Sequence, residues 1–414
     1  MGISLETPMY SKFTNEMRLI CDLLKEENGK KDFNGIKEKL TKNRINWDMF
    51  LAASEFHEIS EILYSIFERN SLLTMNIVPK NIIDKLEKRF YGTCIRNARL
   101  WNEYKVLNSK LKNAEIEHIP LKGIILSSFL YPDSGARRMA DIDILIKKED
   151  IFKINKLLIK EGYRTKHQKD LKYAIEKKES FLEFSRLDKE SGVKFDVDLQ
   201  WTDEVDAGDP NKIVLTDAFQ RRNKIMIEDI DIFMLSPEDI FFNLCLHQRR
   251  FGKTIILKYL YDMVLLLKKY ESGINWDFVV EKCKKNKLNS LVSITLHFAS
   301  SLLGAPCSRI ISKNYDMRPF KNKILFYFYC NRMFRNNKRP RTSEEIGITY
   351  ILFLFLVYNN FNEVIRNIFQ KKKFAKFYRL KYPSFKTSVY FIFAPFYIFL
   401  IFLINHIKIN KFRV

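Results

Sequence analysis

Apolar residues recur at helical spacing over roughly the first 115 positions. Met17, Ile20, Leu23 and Leu24 form one stripe, Phe50, Leu51, Ala53 and Phe56 a second, and Ile59, Ile62, Leu63 and Ile66 a third. Asn70-Ser71 and Val78-Pro79 interrupt the pattern. A long helix is predicted over about 81–112, carrying Ile83, Leu86, Phe90, Cys94, Asn97 and Trp101 on one face. The period then changes. Ile116 to Pro120 reads as a short strand, Leu121-Lys122-Gly123 as a turn, and 124–130 as an apolar helix. Tyr131-Pro132-Asp133-Ser134-Gly135 is a turn cluster. Asp141 to Ile146 alternates polar and apolar as a strand does, and so does 193–201. A helix through Ile154, Leu157 and Leu158 separates them and ends near Gly162, and 226–234 adds a further strand. Ser236 is a natural N-cap, with Pro237 at the first helical position, and helices continue to about Leu303 with a restart at Asn275-Trp276-Asp277. The order predicts an α+β chain: a small mixed β-sheet core over 116–235, helical domains over 1–115 and 236–345, and a separate tail over 346–414.

Composition sharpens this picture. The 414 residues hold 71 Lys plus Arg against 49 Asp plus Glu, a net charge of +22, which favours anionic partners. The cysteines Cys21, Cys94, Cys245, Cys283, Cys307 and Cys330 are scattered without a CxxC pair, so neither a zinc ribbon nor a disulfide framework is expected. The histidines show no HxH or HxxxH spacing, which again speaks against zinc. The first fifteen residues are polar and lack the apolar core of a signal peptide, so a cytoplasmic protein is expected.

The candidate chemistry is acidic. Asp141 and Asp143 are two apart on one strand and so share a face. Two carboxylates that close repel, and they need a cation between them or a proton on one. Asp198, and one repeat earlier Asp196, offers a third carboxylate from another strand. Hard oxygen ligands suit Mg²⁺ (or Mn²⁺), one ion orienting a triphosphate and a second activating the attacking hydroxyl. Asp141, Asp143 and Asp198 are thus the expected catalytic and metal-binding residues. Lys122 and Gly123 stand at the turn into the following helix, where backbone amides and a positive charge suit phosphate. Arg137 is expected to do the same, and so is Ser127 one helical turn on, against the competing reading of a buried helical serine. His247 is expected to face a nucleotide cleft with Asp262, against the competing reading of a core histidine satisfied by a carboxylate. Asp229 and Asp231 repeat the AspXxxAsp spacing without a Lys-Gly turn, and read as the solvated face of a hairpin strand. Arg249, Arg250 and Lys253 form a basic cluster that reads as a solvated helix face, or as a contact for triphosphate or an anionic acceptor.

Taken together, Ile119-Pro120-Leu121-Lys122-Gly123, Tyr131-Pro132-Asp133, Arg137, Asp141-Ile142-Asp143-Ile144-Leu145 and Gly162-Tyr163 resemble a family of bacterial nucleotidyltransferase-like proteins related to the DNA polymerase beta superfamily. Asp198-Leu199-Gln200-Trp201 resembles that family's later acidic-Leu-His-Trp strand, with Gln200 where the family usually has His. The resemblance runs from about residue 20 to 305. It implies a metal-dependent enzyme that moves a nucleoside monophosphate from an NTP to an acceptor and releases pyrophosphate. The competing reading is a catalytically inactive nucleotide- or nucleic-acid-binding protein of the same fold.

The tail suggests a place of work. Val389 to Ile404 is uncharged and apolar, yet shorter than the roughly 20 residues a spanning helix needs. Pro395 interrupts it, and Lys and Arg flank both ends. An association with the inner, anionic face of a membrane through 389–404 is expected. An acceptor from cell-envelope or sugar metabolism follows from that location, with nucleic acid a less favoured partner.

Overall fold

The computed structural model describes residues 13–28, 33–42, 44–75, 77–165, 171–172, 181–201, 217–250, 256–286 and 288–307. The described residues begin with helices α1 (Asn15–Asn28), α2 (Phe33–Lys42), α3 (Trp47–Phe56) and α4 (Ser60–Arg69), then the long α5 (Lys80–Asn113). Asn46 caps α3 by accepting the Met49 amide at 3.1 Å, satisfying one donor that the first turn leaves open. α5 packs on α4, where Thr93 donates to Glu61 and Tyr64 donates to Glu87.

The sheet region follows as β1 (His118–Pro120), α6 (Gly123–Phe129), β2 (Ile142–Ile146), α7 (Ile151–Lys160), β3 (Phe181–Leu187) and β4 (Lys194–Gln200). The strand order is β1-β2-β4-β3, with β2 and β4 parallel and both outer pairs antiparallel. All five residues of β2 are buried, as suits a central strand rich in isoleucine. α8 (Ala218–Arg221), β5 (Asn223–Ile227) and β6 (Ile230–Met234) come next, the last two forming a separate hairpin whose β6 lies beside β1. The segment 226–234, expected as one strand, therefore holds the end of β5, the hairpin turn and all of β6. It turns at Glu228, whose φ of +53° breaks the extended backbone.

α9 (Pro237–Arg250), α10 (Leu257–Lys269), α11 (Trp276–Lys285) and α12 (Asn289–Leu303) complete the described chain. Two expected helix starts hold. Ser236 Oγ accepts the Asp239 amide at 3.2 Å, and Asn275 accepts the Phe278 amide at 3.0 Å. α1 packs against α10 and α12, and the buried apolar side chains form a continuous cluster from Phe13 to Cys307. The boundaries expected at 115/116 and 235/236 thus separate segments of chain that share one core. Asp239, fully buried at the base of α9, meets Arg221 and Lys282; burial pushes its carboxyl up, but the two cations hold it below its ordinary range.

Among the described residues no helix is long and apolar enough to cross a membrane. The apolar and basic tail, 346–414, lies outside the described residues, as do Lys253 and the side chains of Arg249 and Arg250.

One buried side chain fixes the loop that leads into β2. Asn97 on α5 donates to the carbonyls of Ser134 (2.6 Å) and Arg137 (2.8 Å) and accepts the amide of Met139 (3.0 Å). Replacing Asn97 with Ala strands three backbone groups. The expected loss is about 3 kcal/mol in urea unfolding, and a loss below about 1 kcal/mol would show that water replaces the amide.

Candidate active site

The parallel pairing of β2 with β4 sets Asp143 directly opposite Asp198. On the far side of β4, Glu183 of β3 is also opposite Asp198. Three carboxylates therefore form a row across three adjacent strands, on the face away from the buried Val197 and Phe184. Asp141 immediately precedes β2. Asp196 lies two residues down β4 from Asp198, opposite Ser185, with Lys194 at 2.6 Å. Of the two acids in β4, Asp198 is the one placed beside Asp143. Burial, and then the charges of Asp143, Asp141 and Glu183, push its carboxyl up to about 7, with Lys122 acting the other way.

Asp143 is nearly enclosed, with 5% of its surface exposed. Gln200 Nε2 donates to its Oδ1 at 2.6 Å, and Lys122 Nζ stands 3.3 Å from the same oxygen. Both contacts end on Oδ1, so Oδ2 is the oxygen left for a cation. Lys122 reaches this place from an unfavourable backbone, φ +44° and ψ −109°, a conformation suited to glycine. Such strain costs about 1–3 kcal/mol and concentrates at working sites. The turn is pinned on both sides: the Leu121 amide donates to the Asp143 carbonyl at 2.9 Å, and the Leu126 amide to the Lys122 carbonyl at 2.7 Å.

The approach to Asp141 is held from α5. Arg96 donates to the carbonyls of Met139 (2.9 Å) and Ala140 (2.7 Å), beside the Asn97 contacts. From the other direction Arg137 is clamped by Asp262 of α10 through two bonds of 2.7 and 2.8 Å, and Tyr131 donates to the same carboxylate. Arg137 is 5% exposed and Asp262 is fully buried, so the guanidinium expected to meet phosphate spends two donors on locking the loop to the helical layer. Its Nη1 is turned to the Gly123 turn, 3.7 Å from where a β-carbon on Gly123 would stand. The same construction puts Met139 Cγ at 3.5 Å, an ordinary contact, so space alone does not demand glycine there.

Ser127 is buried and donates back to the Gly123 carbonyl at 2.7 Å. The Ile124 carbonyl and the Met139 sulfur also lie within its reach, so this geometry favours the buried helical serine of the two readings. His247 is also buried, its ring edge-on to Tyr259 at 4.5 Å between centroids. Asp262, its expected companion, is taken up by Arg137 and Tyr131. Burial, and then Glu58, hold the Tyr259 phenol above its ordinary range, and Arg137, Asp262 and Asp141 also act on it. His247 thus backs an aromatic side chain that lies in the field of Asp141. Asp229 and Asp231 are exposed and paired with Lys105 and Lys224, as a solvated hairpin requires.

Three parts of this site gave little sequence signal. Glu183 lies in a strand whose single carboxylate has no partner two residues away. Arg96 and Asn97 act only on backbone carbonyls and amides, which no motif records. Gln200 stood out only as a departure from histidine.

The donor set suits a hard divalent cation: carboxylate oxygens in a row, one already raised in pKa by burial and by its neighbours' charge. Among the described residues no group of three or more carboxylate, imidazole or thiol side chains is closed around a common metal position.

A sequence model of the family described as uncharacterised nucleotidyltransferase matches residues 43–304, from the approach to α3 to the end of α12. The chain belongs to this family. No curated protein matches it. Among solved structures, an antigenic nucleotidyltransferase-like protein from Paracoccidioides brasiliensis is similar at 16% identity and a TM-score of 0.33, over 52% of this chain and 97% of that one. At that score the likeness defines neither fold nor site.

The raised carboxyl gives a pH signature. With divalent ions chelated, folded Asp198 keeps a proton that the unfolded chain has already released, between its ordinary 3.8 and about 7. Where the folded form binds more protons, stability falls as pH rises. Its contribution is therefore lost progressively from about pH 4 to pH 7 and is flat on either side. Asp198→Asn is expected to flatten that slope in urea unfolding. An unchanged slope would mean that neither burial nor its neighbours' charge holds a proton on Asp198.

Proposed function

We propose that the chain transfers a nucleoside monophosphate from an NTP to an acceptor hydroxyl and releases pyrophosphate. The observation that carries this reading is Asp143 paired with Asp198 across parallel strands, in a chain of the nucleotidyltransferase family. An oxygen of the acceptor attacks the α-phosphorus, the bond from that phosphorus to the bridging oxygen breaks, and pyrophosphate leaves with the bond electrons. Asp198, poised near neutrality, takes the acceptor's proton. Asp143 is kept oriented by Gln200, and Lys122 supplies positive charge to the phosphates once it lets go of Oδ1. The turn at Gly123 lets the phosphates come close to the backbone, and Nη1 of Arg137 adds charge behind it. Mg²⁺ or Mn²⁺ held by Asp141, Asp143 and Asp198 would neutralise phosphate charge and acidify the attacking hydroxyl.

A second reading, an inactive nucleotide-binding protein, is favoured by one feature: Lys122 and Gln200 both occupy Oδ1 of Asp143. Label transfer from radiolabelled NTPs in Mg²⁺ or Mn²⁺ separates the two. Turnover by the native chain, lost by about 10²-fold or more in Asp143→Asn and Asp198→Asn, is expected, with circular dichroism unchanged. Asp229→Asn with Asp231→Asn is expected to leave transfer intact. Nucleotide binding with no transfer by the native chain would establish the inactive reading.

A further inference from the structure

A concave surface lies beside the loop that leads to Asp141. It is a groove of about 540 Å³ between the middle of α5, the C-terminal half of α6, the Tyr131 turn and the tip of the β5–β6 hairpin. This is the size of a small-molecule site. None of Asp141, Asp143, Asp198 or Lys122 lines it. The groove exists because α5 presents short side chains, Cys94, Ala98 and Asn102, where it passes α6.

Its polar groups divide into two sets. Asn97 is spent on the 134–139 loop, Tyr131 on Asp262, and the Trp101 indole N–H on Glu228. Asn102, Ser128 and Ser134 are exposed, and among the described residues the side chains of Asn102 and Ser128 bond to no other protein group. Ser134 has the Cys94 sulfur, a weak acceptor, at 3.9 Å. Glu228 takes both Trp101 and Lys105 on Oε2, which leaves Oε1 as an acceptor. Amide, hydroxyl and carboxylate groups set around an apolar floor match a ligand whose hydroxyls both donate and accept.

The charge is equally informative. In a chain of net charge +22, no Lys or Arg is among the residues lining the groove, and Glu228 is its one charged member. An anionic ligand finds no counter-charge there, in contrast to the Lys122 turn. Lys105 already offsets Glu228, so a cation gains little. We propose that this groove binds a neutral polyhydroxylated ligand, a sugar or polyol, at a site separate from the acidic row. The proposal stands whether or not the acidic row is catalytic.

Saturation-transfer difference NMR on the full chain tests it, using a panel of neutral mono- and disaccharides and linear polyols, with glucose 6-phosphate and spermidine as charged contrasts. A neutral member is expected to bind, and Asn102→Leu, which removes one pair of hydrogen bonds from an exposed position, is expected to weaken it about tenfold. The same ligand should slow carbamidomethylation of Cys94, the one described cysteine that is not fully buried, read at its own peptide by mass spectrometry. No binding by any neutral member overturns the proposal. So does binding that neither Asn102→Leu nor Ser128→Leu weakens, or a clear preference for the phosphate or the polyamine.

Discussion

Two negative side chains held opposite each other on parallel strands are an arrangement that a folded protein avoids unless something offsets it. Here Asp143 and Asp198 face each other across β2 and β4, with Glu183 one strand further on and Asp141 just ahead. The rest of the site answers that repulsion. Lys122 bends into a glycine-like conformation to bring its ammonium to Asp143. Gln200 donates an amide hydrogen to the same oxygen, and Asp198, through burial and then its neighbours' charge, holds its proton to about pH 7. Each is a partial substitute for the charge that a divalent cation would bring.

The surrounding layers keep the row in place. α5 acts as a spine, with Arg96 and Asn97 gripping the backbone of residues 134–140 so that Asp141 enters β2 in register. The Arg137–Asp262 pair, joined by Tyr131, ties that loop to α10 in a setting with almost no solvent. Breaking one partner of such a pair would leave a buried charge, a loss of about 3–5 kcal/mol. The apolar core beneath is continuous across the stretch matched by the family, residues 43–304.

Much of this was legible in the residues because strand and helix periodicities are local. The alternation through Asp141–Ile146 and Val193–Trp201, the Ser236 cap and the long helix near 80–113 all follow from neighbours in sequence. The strand Phe181–Leu187 was not foreseen. It lies at the edge of the sheet, and its Glu, Ser and Arg positions weaken the apolar run. Arg137 was read for its charge, since its partner Asp262 is 125 residues away and nothing near it announces the pair. Ser127 allowed two readings, a phosphate contact or a buried helical serine, because its place one turn past Gly123 fits both; its burial and its bond to the Gly123 carbonyl depend on chain packing that local sequence does not record.

The account stands on the carboxylates of β2 and β4 sharing a cation. A crystal of the full chain soaked in Mn²⁺ with a non-hydrolysable NTP analogue measures this directly through anomalous scattering. The expected result is a peak within bonding distance of oxygens from both Asp143 and Asp198, with the Lys122 ammonium withdrawn from Asp143 toward the phosphates. A map with Lys122 still on Asp143 and no manganese between the two strands would contradict it.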